Sequence, residues 1–255
     1  MRPRGGLCLL GWLAIAACHQ APVRIAPTPD QELVAARAAF RRGDFSKALQ
    51  FYQRLIFEVG PNDSLAPEVH YSLAESYFQT GDHVQAAHEF RQVADQFPTS
   101  AYASAALLRA GDANLRMWRR PDLDPTYGES ALAIYQELTG RYPDSPSARR
   151  AQLHVRQLRE WFADKGYRNG MFYFRRKAWD SAIIYFKDVY ATYPETPRAA
   201  DALFRLADSY QAINYHEELR EVCNTLQRYH RDHPGLARRC PAAAAAVAPS
   251  PTPTP

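Results

Sequence analysis

The chain has 255 residues and a formal net charge of +4, with 46% hydrophobic and 23% charged residues. That length can bury a sizeable core, the near-neutral balance gives no ground for nucleic-acid binding, and no internal run approaches the ~20 apolar residues needed to span a bilayer. Aromatics stand at 12%, with 15 tyrosines, which on a helical protein points to packed faces rather than solvated ones.

Residues 1–17 read as a processing signal and are set aside from the fold. Arg2 and Arg4 form a basic start, and an apolar stretch runs from Leu7 to Ala17. Ile15-Ala16-Ala17-Cys18 follows, an aliphatic and two small residues before a cysteine. This fits the lipobox of bacterial lipoprotein signal peptides, where the cysteine thiol receives a diacylglycerol and the chain is cut before it. Small residues suit a peptidase that must admit the backbone on both sides of the cut. Each buried methylene contributes ~0.8 kcal/mol, so two or three acyl chains on Cys18 make a stable membrane anchor where one would not. His19 follows Cys18; an Asp there retains lipoproteins at the inner membrane of enteric bacteria, so His19 favours the periplasmic face of the outer membrane. Residues 18–29, with Pro22, Pro27 and Pro29, read as a tether lifting the body off the membrane. Loss of Arg2 and Arg4 lowers the formal charge to +2.

Residues 30–239 read as repeated helical pairs. Gly43-Asp44-Phe45-Ser46-Lys47-Ala48, Gly81-Asp82-His83-Val84-Gln85-Ala86 and Lys177-Ala178-Trp179-Asp180-Ser181-Ala182 share one plan: a turn residue, a helix cap, then alanine. Tyr52, Phe90 and Phe186 follow four residues after those alanines. Phe97-Pro98, Tyr142-Pro143 and Tyr193-Pro194 close units, and His233-Pro234 stands where another would end. Ala36 precedes Ala48 by twelve residues, as Ala74 precedes Ala86 and Gly170 precedes Ala182. Small residues are needed where antiparallel helices cross closely, and proline stops the second helix. The pattern resembles the tetratricopeptide repeat, a helical hairpin of about 34 residues.

The third unit breaks the spacing. Ala110 and Ala131 are 21 residues apart, nine more than in the others, and the extra segment from Trp118 to Pro125 reads as a loop. Ser147 to about Arg176 reads as one extended helix, or two with a kink near Gly166. Leu219 stands where the last unit should have alanine. The fold class expected is all-α, a right-handed superhelix of about five hairpins, each touching its neighbours. From Cys240 onward the chain is almost wholly Ala, Pro, Ser and Thr and reads as a disordered tail. Cys223 and Cys240 either pair in an oxidising compartment or remain two separate thiols.

The inner wall of such a superhelix is lined mainly by first helices. Counting from the alanines puts Leu33, Arg37, Phe40 and Arg41 there in unit one, and Tyr71, Glu75, Phe78 and Gln79 in unit two. Unit four contributes Tyr167, Met171, Phe174 and Arg175. Rings beside charges suit an extended peptide; the alternative is that half of these rings are inter-repeat core. There is no nucleophile motif, phosphate loop or metal-ligand cluster. His230 and His233 lack a third ligand, so neither an enzyme nor a cofactor is expected.

Beyond the lipobox, three features resemble the BamD (ComL/YfiO) family of outer-membrane assembly lipoproteins. Tyr142-Pro143-Asp144-Ser145 and Tyr193-Pro194-Glu195-Thr196 close units; a charged insertion from Arg119 to Pro125 precedes Ala131 and Tyr135; and a long helix runs into Phe172-Tyr173-Phe174-Arg175-Arg176-Lys177-Ala178-Trp179. Lys177 stands where that family usually has glycine, so its turn is expected to be tighter or shifted. The resemblance covers roughly residues 30–234. It implies a non-enzymatic subunit of the β-barrel assembly machinery. Its N-terminal repeats would receive the terminal segment of unfolded outer-membrane proteins, with Arg37 and Arg41 placed to pair with a terminal carboxylate. Its C-terminal repeats, through Tyr167, Met171, Phe174 and Arg175, would dock on a BamA-type barrel subunit. The competing readings are a cell-division coordinator of the CpoB/YbgF type and a general scaffold for secretion, pili or another envelope complex.

Overall fold

Eleven helices follow one another without a strand among the residues that the computed structural model describes, 28–118, 120 and 123–240. The first is α1 (Pro29–Arg41). It opens on a capping box: the Gln31 amide donates to Thr28 Oγ1 at 3.3 Å and the Thr28 amide to Gln31 Oε1 at 3.2 Å. Then come α2 (Phe45–Glu58), α3 (Ala66–Thr80), α4 (His83–Gln96), α5 (Ala103–Met117) and α6 (Thr126–Arg141). The 30-residue α7 (Pro146–Arg175), α8 (Trp179–Thr192), α9 (Pro197–Ala212), α10 (His216–Tyr229) and α11 (Leu236–Arg239) complete the body. Helices α1/α2, α3/α4, α5/α6, α7/α8 and α9/α10 form five hairpins, each packed on the next.

Tight turns join the helices of every pair except α5/α6. Gly43 (φ +78°) and Gly81 (φ +88°) take the left-handed conformation that spares a side chain. The Gly81 amide donates to the Phe78 carbonyl at 3.2 Å and the Asp82 amide to the Tyr77 carbonyl at 3.0 Å. Asp44 and Asp82 then cap α2 and α4, accepting from the Lys47 and Gln85 amides. Lys177 corrects the expectation for its turn, which is neither tighter nor shifted. It adopts φ +58°, and the Lys177 and Ala178 amides donate to the Phe174 and Tyr173 carbonyls at 3.0 and 3.1 Å, the same pair of bonds. Asn214 does likewise at φ +59° between α9 and α10.

The crossings obey the small-residue spacing. Ala36, Ala48, Ala74, Ala86 and Ala182 are fully buried. A Cβ placed on Gly170 would lie 2.5 Å from Phe186 Cε1, so glycine admits that ring. The third unit needs a one-residue correction. Tyr135 lies on Gly111, not on Ala110: a Cβ there would be 2.4 Å from its Cε1. Gly111 and Tyr135 are 24 residues apart against 16 for Gly170 and Phe186, so the insertion is eight residues long. Within it Trp118 is buried, stacked on Phe162 at 5.0 Å and filling the space over Gly128.

Helix α7 runs unbroken past Gly166. At the far end Cys223 and Cys240 form a disulfide, with Cα atoms 5.7 Å apart. Cys240, counted with the tail on composition, is buried and belongs to the folded body. The bond holds α11 against α9 and α10. There the His233 ring lies tilted against Phe204, centroids 4.0 Å apart, and Arg239 Nε donates to Asp208 Oδ1 at 2.6 Å.

Candidate peptide-binding groove

The first helices of the pairs form one wall, and its best-built seam lies between α3 and α5. Tyr71, Glu75 and Phe78 stand one turn apart on α3. Arg109 of α5 lies over Phe78, its Cζ 3.8 Å from the ring centroid. It donates from Nε and Nη2 to Glu75 at 2.9 and 2.5 Å, and from Nη1 to Asp112 at 3.2 Å. The other Asp112 oxygen accepts from the Tyr135 hydroxyl at 2.8 Å. Burial opposes the charge on Arg109, but its bonds to Glu75 and Asp112 outweigh burial and raise its pKa. Tyr71 packs against Phe90 and Tyr102, and burial, with the Glu75 charge adding, pushes its pKa up to about 12. Phe78, 9% exposed, is a floor rather than a free ring.

The device recurs at the seam of α7 and α9. Arg205 lies 5.4 Å from the Phe174 centroid and donates to Asp208 at 3.1 Å and to the Tyr167 hydroxyl at 3.4 Å. Arg198 covers the Tyr167 ring at 4.9 Å and pairs with Asp164 at 2.8 Å. Met171 packs half-buried in the same cluster, and Arg175 is exposed at the end of α7.

The unit-one residues do not join these seams. Leu33, 5% exposed, packs with Ala36, Tyr52 and Leu55 in the core, so it supports the wall instead of facing a partner. Arg37 is engaged by Glu68 Oε1 at 2.6 Å. Phe40 packs edge-on against Phe45 at 5.2 Å, while Arg41 is exposed without an ion pair among the described residues.

Arg109, Asp112, Arg205 and Asp208 went unread in the sequence, although a signal existed. Leu107-Leu108-Arg109-Ala110-Gly111-Asp112 and Leu203-Phe204-Arg205-Leu206-Ala207-Asp208 repeat the same Arg-x-x-Asp spacing around the small crossing residue. Beside the Arg109 seam a cleft of about 350 Å3 opens between α5 and α7, bounded by Phe78, Leu115, Arg116, Arg150 and His154. Among the described residues no group of three or more His, Cys, Asp or Glu could hold a metal ion, and no helix is long and apolar enough to cross a membrane. Cys18 lies outside the described residues.

Stacked helical hairpins with a ring-and-charge wall and no metal-binding group among the described residues define a tetratricopeptide-type repeat protein. A profile of the YfiO family, described as outer membrane lipoprotein, matches residues 28–226, and the chain belongs to that family. The outer membrane protein assembly factor BamD of Vibrio cholerae is 24% identical over 233 residues, covering 86% of this chain and 96% of that protein. Its namesake in Xylella fastidiosa (strain Temecula1) is 24% identical over 241 residues, covering 89% and 82%. Among solved structures, the TPR domain of P58(IPK) aligns with a TM-score of 0.44 and 15% identity over 86% of this chain and 55% of that one.

Proposed function

We propose that the chain is a non-enzymatic subunit of the outer-membrane β-barrel assembly machinery, anchored through lipidated Cys18 at the periplasmic face. On this reading residues 18–29 are the tether, the wall of α3 and α5 receives extended segments of unfolded outer-membrane proteins, and the C-terminal repeats dock on a BamA-type barrel subunit. Membership of an outer-membrane lipoprotein family and relatives named assembly factors support the setting. The observation that carries the binding role is the seam itself, where Tyr71, Phe78 and Arg109 set apolar rings beside charge along one wall. A client strand alternates apolar and polar residues, so rings and charges in sequence complement it. The test is affinity capture of the full chain from detergent-extracted native membranes with mass spectrometry. Recovery of the barrel subunit is expected, and Cys18→Ala should release the chain from the membrane. Recovery of secretion or pilus components without the barrel subunit refutes the assignment.

A further inference from the structure

Antiparallel pairing places the turns within hairpins along one edge of the stack and the connections between hairpins along the other. The tip of the first hairpin carries three exposed cations, Arg41, Arg42 and Lys47. None has an ion pair or side-chain hydrogen bond among the described residues. The one carboxylate in the run 40–47, Asp44, accepts from the Lys47 amide at 3.2 Å as the cap of α2, so the tip keeps a formal charge of +2 (3 − 1). One turn back on α1, by contrast, Arg37 is engaged by Glu68 Oε1 at 2.6 Å. Phe40 and Phe45, half-buried and edge to face at 5.2 Å, brace the turn from either side. The fourth tip repeats the run as Phe174-Arg175-Arg176. There, however, Arg176 lies 3.5 Å over Phe172 and donates to its carbonyl at 3.1 Å, so the first tip holds the freer charge.

We infer that the tip of the first hairpin is a contact for the anionic headgroups of the bilayer to which the chain is anchored, with Arg41, Arg42 and Lys47 on lipid phosphate. Guanidinium forks match phosphate geometry, and an ammonium meets it as a point charge. Chain length permits the contact. The α1 helix has 13 residues and is about 20 Å long, with the tip at its far end from the tether. Ten residue steps separate Cys18 from Thr28, a reach of up to about 35 Å at full extension. The tether can therefore run back past the whole of α1 and leave the tip on the same leaflet. Tethering also holds the leaflet at high effective concentration, so a weak contact suffices. Each cation near an anionic leaflet is worth about fivefold in binding, and salt screens the attraction. Arg41 is thereby assigned to lipid phosphate instead of a client carboxylate. The inference rests on the lipid anchor proposed above, and its test separates the two.

The test uses the chain purified from membranes and reconstituted on vesicles of phosphatidylcholine, with or without about 30% phosphatidylglycerol. Cys18 is acylated on this reading and Cys223 and Cys240 are bonded to each other, so an introduced cysteine can be labelled selectively. A fluorophore goes on Ser46→Cys, exposed at the tip, or on Ser64→Cys, exposed past the other end of α2. A quencher attached to lipid headgroups reads how near each label lies to the bilayer. On anionic vesicles the Ser46 label should be quenched at least about twofold more than the Ser64 label. Neutral vesicles, or ~0.5 M salt, should remove the difference. Arg41→Gln with Arg42→Gln should remove it too, with circular dichroism matching the parent because both positions are exposed. Equal quenching of the two labels on anionic vesicles overturns the contact and leaves the anchor standing. So does a difference that survives in the double variant or on neutral vesicles. A chain that does not float with vesicles of either kind removes the anchor reading itself.

Discussion

Replacing Arg109 by Met tests whether the seam between the second and third units is an electrostatic joint. The side chains of Arg109, Glu75 and Asp112 are 20%, 15% and 17% exposed, so the guanidinium shields two largely buried carboxylates. Stranding a fully buried partner costs about 3–5 kcal/mol. Residual solvent access and the Tyr135 bond to Asp112 reduce that here, while loss of the cation over Phe78 adds about 1 kcal/mol. The expected net loss is about 2–4 kcal/mol, a fall in Tm of about 5–12 °C for a body of this size. Urea unfolding followed by far-ultraviolet circular dichroism is the assay, with Arg175→Met, which breaks no ion pair, as a control expected within about 0.5 kcal/mol of the parent. Combining Arg109→Met with Glu75→Met should cost less than the two single changes together by about 1–3 kcal/mol, because the second change removes the stranded charge. Because repeats feel only their neighbours, amide exchange should quicken in α3 to α5 before α9 and α10. A loss below about 0.5 kcal/mol, or strictly additive double-variant energies, refutes the joint.

Lys177→Gly should raise stability by about 1 kcal/mol, because the left-handed turn then carries no Cβ; a lower Tm in thermal unfolding contradicts this. Gly170→Ala should destabilise although alanine favours helices by about 1 kcal/mol, since crowding against Phe186 costs about 1–3 kcal/mol; a more stable variant in urea unfolding refutes the crossing. His70 sits 5.6 Å from Phe97, and burial lowers its pKa more than nearby Glu89 raises it. The unfolded chain therefore binds this proton more readily, so stability should fall as pH drops below about 6.5. His70→Gln should flatten the dependence of Tm between pH 7.5 and 5.5, and an unchanged slope rules the residue out.

The helix pairs were legible because close crossing imposes a size limit that sequence displays directly, as at Ala74 and Ala86 or Gly170 and Ala182. In the third unit Ala110 and Gly111 are both small, and the insertion removes the spacing that would choose between them. Gly166 suggests a break, yet α7 is continuous there and a Cβ would lie 2.7 Å from Val189 Cγ2, so its smallness serves the packing of α8. Helical spacing marks Tyr71, Glu75 and Phe78 along a single helix but says nothing of what covers them. Arg109 reaches Glu75 across 34 residues and Arg37 reaches Glu68 across 31, separations at which no local periodicity reports a contact. Cys223 and Cys240 stayed ambiguous because their meeting depends on how the chain turns back after α10.

A stack of like modules invites addition: an uncovered last hairpin offers the same face to which each earlier hairpin bound its successor. Here Phe204 and Asp208, which stand in α9 where Tyr71 and Glu75 stand in α3, are already taken by His233 and Arg239 from the chain's own last turn. The sulfur bridge ties that cover covalently to α10. Among the described residues that face of α9 is therefore closed to a further hairpin.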